Sequence, residues 1–407
     1  MTCVIAGGGP AGAMLALQLA RAGVEVTLLE KHADFLRDFR GDTIHPSTLQ
    51  VLDELGLAGE LLRLPHRKLY EPHLVTDAGE LVLASLRELP GPYNYVAFLP
   101  QWDFLNTITS AAARYPGFRM LMRAEAYDLI REGGAVRGLR YRDASGEHEI
   151  RADLTVAADG RHSVLRRRAG LVPEELAAPM DVVWFRLPCR DGDREDTFLR
   201  VSRGHMMVAI NRVTYWQLAY LIPKGGYDRL VRAGIGALRE PVASLLPFLA
   251  DRVGAIEGYD DVSVLTVAIN RLRRWHRPGF LCIGDAAHAM SPVFGVGINL
   301  AVQDAVAAAN LLAGPLRAGA PIPESALHRV QRRRMFPTRV TQAAQRVAQT
   351  VLISRALRGR FDPALVPRAL SRLPLFRRVG PRFLGTGVRP EHVTTQAARP
   401  ADTSSGG

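Results

Sequence analysis

The sequence predicts an α/β chain: a parallel sheet wound with helices, a separate antiparallel-sheet layer, and helices towards the C-terminal end. Three observations carry this. The opening run "CVIAG" is short, wholly apolar and rich in β-branched residues, as a parallel strand covered on both faces should be. It leads through consecutive glycines into "AGAMLALQLARAG", whose apolar residues recur at helical spacing. Residues 180–223 read differently: "DVVWFRLPC", "DTFLRVS", "HMMVAIN" and "YWQLAYLIP" are strand-like runs separated by turn residues, with no long helix between them. Residues 298–316 and 324–360 then read as long helices.

Taken in order, the first helix stops at Gly23, a C-cap position, and "VEVTLLEK" is the second strand, completing a βαβ unit. Pro46 and Ser47 open a helix that Gly56 ends, and residues 101–115 form another. The stretch from Phe118 to Gly160 reads as strands with turns at "EGG" and "ASGE". "FLCIGDAAH" (280–288) returns to a buried strand. We divide the chain into a nucleotide-binding domain (1–72, 98–175 and 265–345), a substrate domain (73–97 and 176–264), a C-terminal helical segment (346–395) and a disordered tail (396–407).

A length of 407 residues suffices for two cored domains. The net charge is +12, from 52 basic and 40 acidic residues, and the only lysines are Lys31, Lys68 and Lys224. The arginines are scattered apart from "RLRRWHR", "RRR" and "RGR", so we expect solvated faces and no nucleic-acid partner. Cys3, Cys189 and Cys282 form neither a CxxC pair nor a disulfide framework. A reducing, cytoplasmic setting and no bound metal are expected. No basic leader and no run of about 18 apolar residues is seen, so no transmembrane segment is expected.

Gly7, Gly9 and Gly12 fit G-x-G-x-x-G between a strand and a helix. One glycine makes the turn, one lets the backbone approach a pyrophosphate, and one lets helix and strand pack. The phosphates then meet unpaired N–H groups at the helix N-terminus. Glu30 ends the second strand, where an acid holds a ribose 2′-hydroxyl and disfavours a 2′-phosphate. This stretch leaves NAD and FAD open. Gly284-Asp285 lies at the end of a later buried strand, and "SPVFGVGIN" feeds a second helix N-terminus suited to developing negative charge.

"GGGPAG" (7–12), "ADGRHSVLRR" (158–167) and "GDAAHAMSP" (284–292) together resemble the three fingerprints of the FAD-dependent aromatic hydroxylases, single-component flavin monooxygenases of the p-hydroxybenzoate hydroxylase type. The resemblance implies a Rossmann-like domain in which Gly7, Gly9, Pro10, Ala11 and Gly12 cradle the FAD pyrophosphate. It implies that Glu30 holds the adenosine ribose, with Lys31 beside it. Arg40 would lie on the phosphates, Gln101 near the ribityl chain and Asp285 upon it. Pro292, Gly295, Gly297, Ile298 and Asn299 would line the isoalloxazine. Asp159 belongs to the motif associated with both FAD and the nicotinamide cofactor. The implied reaction takes electrons transiently from NADPH or NADH, forms a flavin C4a-hydroperoxide with O2, and transfers one oxygen to an aromatic or polycyclic small molecule. No catalytic side chain is nominated, because that chemistry needs a dry, oriented site rather than a nucleophile and base. A reductase or oxidase of the same fold, and a non-catalytic FAD-binding sensor, are the other readings. The WxWxIP signature of flavin halogenases is absent. A monomer or homodimer is expected.

For the substrate pocket we nominate His45, Trp184, Met207, Ala209, Asn211 and Phe294. Alternate strand residues share a face, so Met207, Ala209 and Asn211 point one way and Met206, Val208 and Ile210 the other. Asn211 stands where the resemblance would put the arginine that holds a substrate carboxylate. A larger neutral or phenolic substrate of secondary-metabolite type is expected.

Overall fold

The computed structural model describes residues 1–36, 43–202, 204–360 and 374–398. A six-stranded sheet is built around Thr2–Ala6, which pairs in parallel with Glu25–Glu30 on one side and Leu154–Ala157 on the other. Phe118–Met122 and Phe280–Cys282 extend it in parallel, and His276–Arg277 adds an antiparallel edge. The strand order therefore reverses at Thr2–Ala6, and a crevice opens beyond the carboxyl end of that strand. Val4, Ile5, Leu28, Val156 and Leu281 are fully buried, as all-apolar parallel strands require.

The helices Pro10–Arg21 and Gly297–Arg317 pack over this sheet. Gly297–Arg317 is the one described helix long and apolar enough to cross a membrane, but most of it is buried in this core. An antiparallel hairpin sheet, Glu125–Glu132, Ala135–Asp143 and Gly146–Arg151, fills the predicted strand-rich stretch.

A seven-stranded sheet forms the second layer. Its order is Ser263–Leu265, Met180–Pro188, Tyr215–Pro223, His205–Asn211, Phe198–Ser202, His73–Thr76 and Gly79–Val82. All its pairings are antiparallel except that of Phe198–Ser202 with His73–Thr76. The helix Gly236–Leu245 and the 3-10 stretch Pro247–Ala255 cover one face, where Met207, Ala209, Trp216 and Leu218 pack against Leu238 and Leu249. Met206, Val208 and Ile210 take the opposite face, grouped with Val293, Phe98 and Leu384.

Glu324–Ala348 continues through a π turn, Gln349–Ile353, into Ser354–Leu357. After the helix Pro374–Gly385 the chain returns across the first layer. Glu54 accepts the Val393 N–H at 2.7 Å, and Arg21 donates to the Thr395 carbonyl at 2.8 Å. The Ala398 N–H bonds the Arg21 carbonyl at 2.8 Å. Residues 396–398 of the expected tail thus run along the first helix, and 399–407 lie outside the described residues.

Candidate active site

The glycines divide their work as the motif requires. Gly7 has φ +105°, and a Cβ there would lie 2.3 Å from the Ala158 carbonyl oxygen. A Cβ on Gly12 would lie 2.0 Å from the Gly7 oxygen. A Cβ on Gly9 meets nothing within 4 Å. Gly7 and Gly12 are therefore packing glycines, and Gly9 faces open space. The helix behind it begins with Pro10 and has no side-chain cap, so its first N–H groups face the same space. Glu30 is buried beside the loop and accepts the Gly8 N–H at 3.1 Å and the His32 N–H at 3.0 Å. Lys31 is exposed beside it.

Gly284, with φ +58°, brings its turn against this loop: a Cβ there would meet the Ala11 side chain at 2.9 Å. Asp285, in the turn Gly284–Ala286, is half-exposed, with Arg161 at 3.7 Å. The third motif stands behind the turn. Arg166 donates to the Ala286 carbonyl at 3.1 Å and to the Arg161 carbonyl at 2.9 Å. Asp159 accepts the Ser163 hydroxyl at 2.5 Å and the Val164 and Leu165 N–H groups at 2.8 and 3.2 Å. Its carboxylate caps the helix Val164–Arg168, and burial pushes its carboxyl up.

One part of the site escaped the sequence reading. Asp304, fully buried in the long core helix, accepts the Gly284 N–H at 3.1 Å, the His288 Nε2 proton at 2.6 Å and the Arg334 Nε proton at 3.1 Å. Arg334 also reaches Glu391, at 3.3 Å, in the returning C-terminal stretch. Burial pushes the Asp304 carboxyl up, but His288 and Arg334 outweigh it and hold the group below the usual aspartate range. A lone acid in the apolar run "NLAVQDAVAAANLL" was the available signal.

Phe294 and Gly295 have φ +70° and +63°, and they turn the chain into the N-terminus of the core helix, which again lacks a side-chain cap. A Cβ on Gly297 would meet nothing within 4 Å. Pro292 is half-buried and Ile298 buried. The Asn299 side chain is committed elsewhere: its Oδ1 accepts the Ser47 and Thr48 hydroxyls at 2.7 and 2.8 Å, pinning the helix Pro46–Glu54. His45 is buried, with Nδ1 2.7 Å from the Leu384 carbonyl and Nε2 3.1 Å from the Gly295 carbonyl. It is a post between this loop and the C-terminal helix, not a pocket wall. Burial lowers its imidazole below the ordinary value, outweighing both carbonyls. Phe294 stays 39% exposed, edge-on to Phe383 at 6.1 Å. Gln101 opens the helix Gln101–Ala112 half-buried. Arg40 lies outside the described residues.

The pocket assignment needs a correction of register. Met207 and Ala209 are core residues under Gly236–Leu245. Asn211 donates to the Arg194 carbonyl at 2.8 Å and accepts the Val213 N–H at 2.8 Å, so it closes a loop. The face on the Gly295 side carries Met206, Val208, Ile210 and Trp184. The helix over residues 236–245 needs an apolar floor, and it took the other set. His73, Glu80 and Asp196 bring potential metal ligands within 4.8 Å of one another, but Arg194 salt-bridges both carboxylates, at 3.1 and 2.6 Å.

These features fit FAD. Two uncapped helix N-termini face open space at Gly9 and Gly297, and Glu30 lies over the glycine loop. Residues 1–344 match the family model for the FAD binding domain. The chain belongs to that family. A 6-methylpretetramide 4-monooxygenase of Streptomyces rimosus is 34% identical over 384 residues, covering 93% of this chain and 90% of the relative. A 3-demethoxyubiquinol 3-hydroxylase of Escherichia coli is 27% identical, covering 83% of this chain and 86% of its own length. Among solved structures, the anhydrotetracycline hydroxylase OxyS of S. rimosus superposes with a TM-score of 0.73 at 22% identity, over 96% of this chain and 77% of its own. PqsL of P. aeruginosa, in complex with 2-aminobenzoylacetate, gives 0.76 at 22% identity, over 88% and 97%. As a member of the FAD-binding domain family, this chain is an FAD-dependent monooxygenase, an oxidoreductase supplied with electrons by NAD(P)H.

Proposed function

We propose that this monooxygenase hydroxylates a bulky polycyclic aromatic, neutral or phenolic, of the polyketide type. One observation carries the reading. The sheet face on the flavin-loop side is apolar at its centre, with Trp184, Val208 and Ile210 grouped with Phe98 and Leu384. A carboxylate substrate would need a cation there, and Arg186, next on that face, stacks on the Tyr215 ring 4.8 Å away. The S. rimosus relative, named for a pretetramide, supports the polycyclic class.

Bound FAD, reduced by NADPH or NADH and then meeting O2, would supply the electrophilic oxygen. The chain's own residues do the rest. The helix N-terminus at Gly297 offers unpaired N–H groups to the negative charge of a reduced ring. Gly9 and the helix behind it offer theirs to the pyrophosphate, and the Asp285 carboxylate would accept from the ribityl hydroxyls. The apolar wall keeps water from the reacting oxygen and presses the flat substrate into register. No proton donor or acceptor is assigned.

The setting we propose is cytoplasmic, since Cys3 and Cys282 are free buried thiols and Cys189 is unpaired. The monomer or homodimer expected from sequence remains our reading. The test uses purified yellow protein. NAD(P)H oxidation should rise with a polycyclic phenol such as a tetracyclic naphthacenone, and mass spectrometry should show a product one oxygen heavier. Tighter coupling with 4-hydroxybenzoate than with the polycyclic phenol would overturn the substrate class.

A further inference from the structure

The segment from Glu324 to Arg360 holds nine arginines and one acid, which accounts for most of the net charge of +12. Two of the arginines are spent internally. Arg334 is buried on Asp304 and Glu391, and Arg333 pairs with Glu391 at 2.7 Å. Arg329, Arg332, Arg339, Arg346 and Arg355 lie on the exposed stripe, opposite buried Leu327, Val330, Thr338, Thr341 and Gln345. None of these five has an ion pair among the described residues. By contrast, three exposed arginines of the hairpin sheet are matched: Arg140 with Glu149 at 2.8 Å, Arg142 with Glu125 at 2.7 Å, Arg151 with Glu132 at 2.6 Å. Exposed Arg63, Arg119, Arg123, Arg137 and Arg229 also lack an ion pair among the described residues, but they are spread along the chain, whereas these five share one helical face. The concentration of unmatched arginines is on this face.

From it we infer that the exposed face of the helix Glu324–Ala348 and its continuation to Leu357 docks on an anionic lipid surface. The helix Glu324–Ala348 is about 37 Å long at 1.5 Å per residue, and the arginines run along one side of it, an extent suited to a broad surface. Val347 and Val351, 63% and 51% exposed, sit between the arginines, where an acyl-headgroup boundary would cover them. A single-stranded nucleic acid would call for free aromatic platforms. The exposed aromatic of this stripe, Phe336, is already covered by the Arg389 guanidinium 4.4 Å from its ring centre. Each arginine near an anionic leaflet contributes about 1 kcal/mol, so five of them give reversible binding with no membrane span.

The test is co-sedimentation of the flavin-loaded protein with vesicles of phosphatidylcholine containing about 30 mol% phosphatidylglycerol, at about 0.05 and about 0.5 M NaCl. Binding should appear at low salt, vanish at high salt and be absent with pure phosphatidylcholine. The triple variant Arg332→Glu/Arg339→Glu/Arg346→Glu should partition at least about a hundredfold more weakly, roughly fivefold per arginine. The triple variant Arg140→Glu/Arg142→Glu/Arg151→Glu carries the same change in net charge and should bind like the parent. Flavin absorbance and melting temperature report that each variant is folded. If the reversed helix fails that check, the Arg→Gln triple replaces it. Equal loss in the two triples would overturn the inference, as would no binding to anionic vesicles. So would tighter binding to a DNA duplex or to poly-L-glutamate than to the vesicles.

Discussion

The two sides of the site are made of different material. On the sheet-end side, the groups left open to a cofactor are largely backbone: N–H groups near Gly9 and Gly297, the first set placed by Gly7 and Gly12, where a Cβ would strike backbone oxygens. On the seven-stranded side, contact falls to apolar side chains whose direction depends on register. A backbone site is fixed by short motifs, because only glycine fits. A side-chain site is fixed by which face another element chose to cover. The first kind is robust to sequence drift around it, and the second can be retuned one residue at a time.

The largest expected effects divide the glycines themselves. Gly12→Val forces a side chain into the Gly7 oxygen, 2.0 Å from its Cβ, and should leave little soluble protein, a cost above about 4 kcal/mol. Gly9→Val opens onto space and should fold yet purify colourless, with a melting temperature near that of the parent stripped of flavin. Flavin content per chain and thermal melting separate the two. Yellow Gly9→Val protein would break the backbone half of the comparison.

That contrast also explains what could be read in advance. The glycine spacing, Glu30 and the Gly284-Asp285 turn are local patterns, and the layers followed from strand length and apolar periodicity. Three things were not local. The parity of His205–Asn211 was set by Leu238 and Leu249, some thirty or more residues away in sequence. The second use of Asp159, as a helix cap, looks the same in sequence as a ligand role. The Asp304 network needs Arg334 and Glu391, and nothing in the spacing of the three announces that they meet.

The next largest effect concerns the two aspartates around Gly284. Asp304→Asn strands His288 and Arg334 in the core and should cost about 3 to 5 kcal/mol at neutral pH. The sign with pH follows from its lowered carboxyl: the contribution is complete above the unfolded aspartate value and lost as pH falls through the folded one. The gap between parent and variant, read from urea midpoints, should therefore hold from pH 7 to about 5 and close only below about 4. Asp285→Ala, half-exposed, should lose most of the flavin and, with the proteins compared flavin-free, leave those midpoints alone. Equal destabilisation by both would erase the distinction between a buried support and a ligand.

A smaller pair sharpens the register. Ala209→Phe overfills the core under Gly236–Leu245 and should cost about 1 to 3 kcal/mol without changing the product formed per NAD(P)H consumed. Val208→Phe faces the flavin-loop side and should lower that ratio, releasing hydrogen peroxide, with little change in stability. If Ala209→Phe uncouples and Val208→Phe does not, the pocket lies on the other face.

The smallest effect tests the post that joins the two sides. A neutral imidazole carries one N–H, so His45 can donate to either the Leu384 or the Gly295 carbonyl but not to both. Burial holds its pKa below the ordinary 6.5 despite those acceptors, so at neutral pH it is uncharged in the folded chain. The unfolded chain then binds the extra proton first, and stability attributable to His45 is complete above pH 6.5 and falls as pH drops towards the folded value. His205 and His276 are shifted the same way, so the parent's slope is shared among them. The His45 share is the difference between the parent and His45→Gln, whose amide N–H can still donate to one carbonyl. Between pH 7.5 and 5.5 the parent should lose up to about 1 kcal/mol more than the variant, measured from urea midpoints. The opposite slope, with the parent gaining on the variant as pH falls, would mean an imidazolium clamped by both carbonyls. The loop before Gly297 would then be tied to the C-terminal helix by a charge, and the apolar half of the site would be less neutral than its side chains imply.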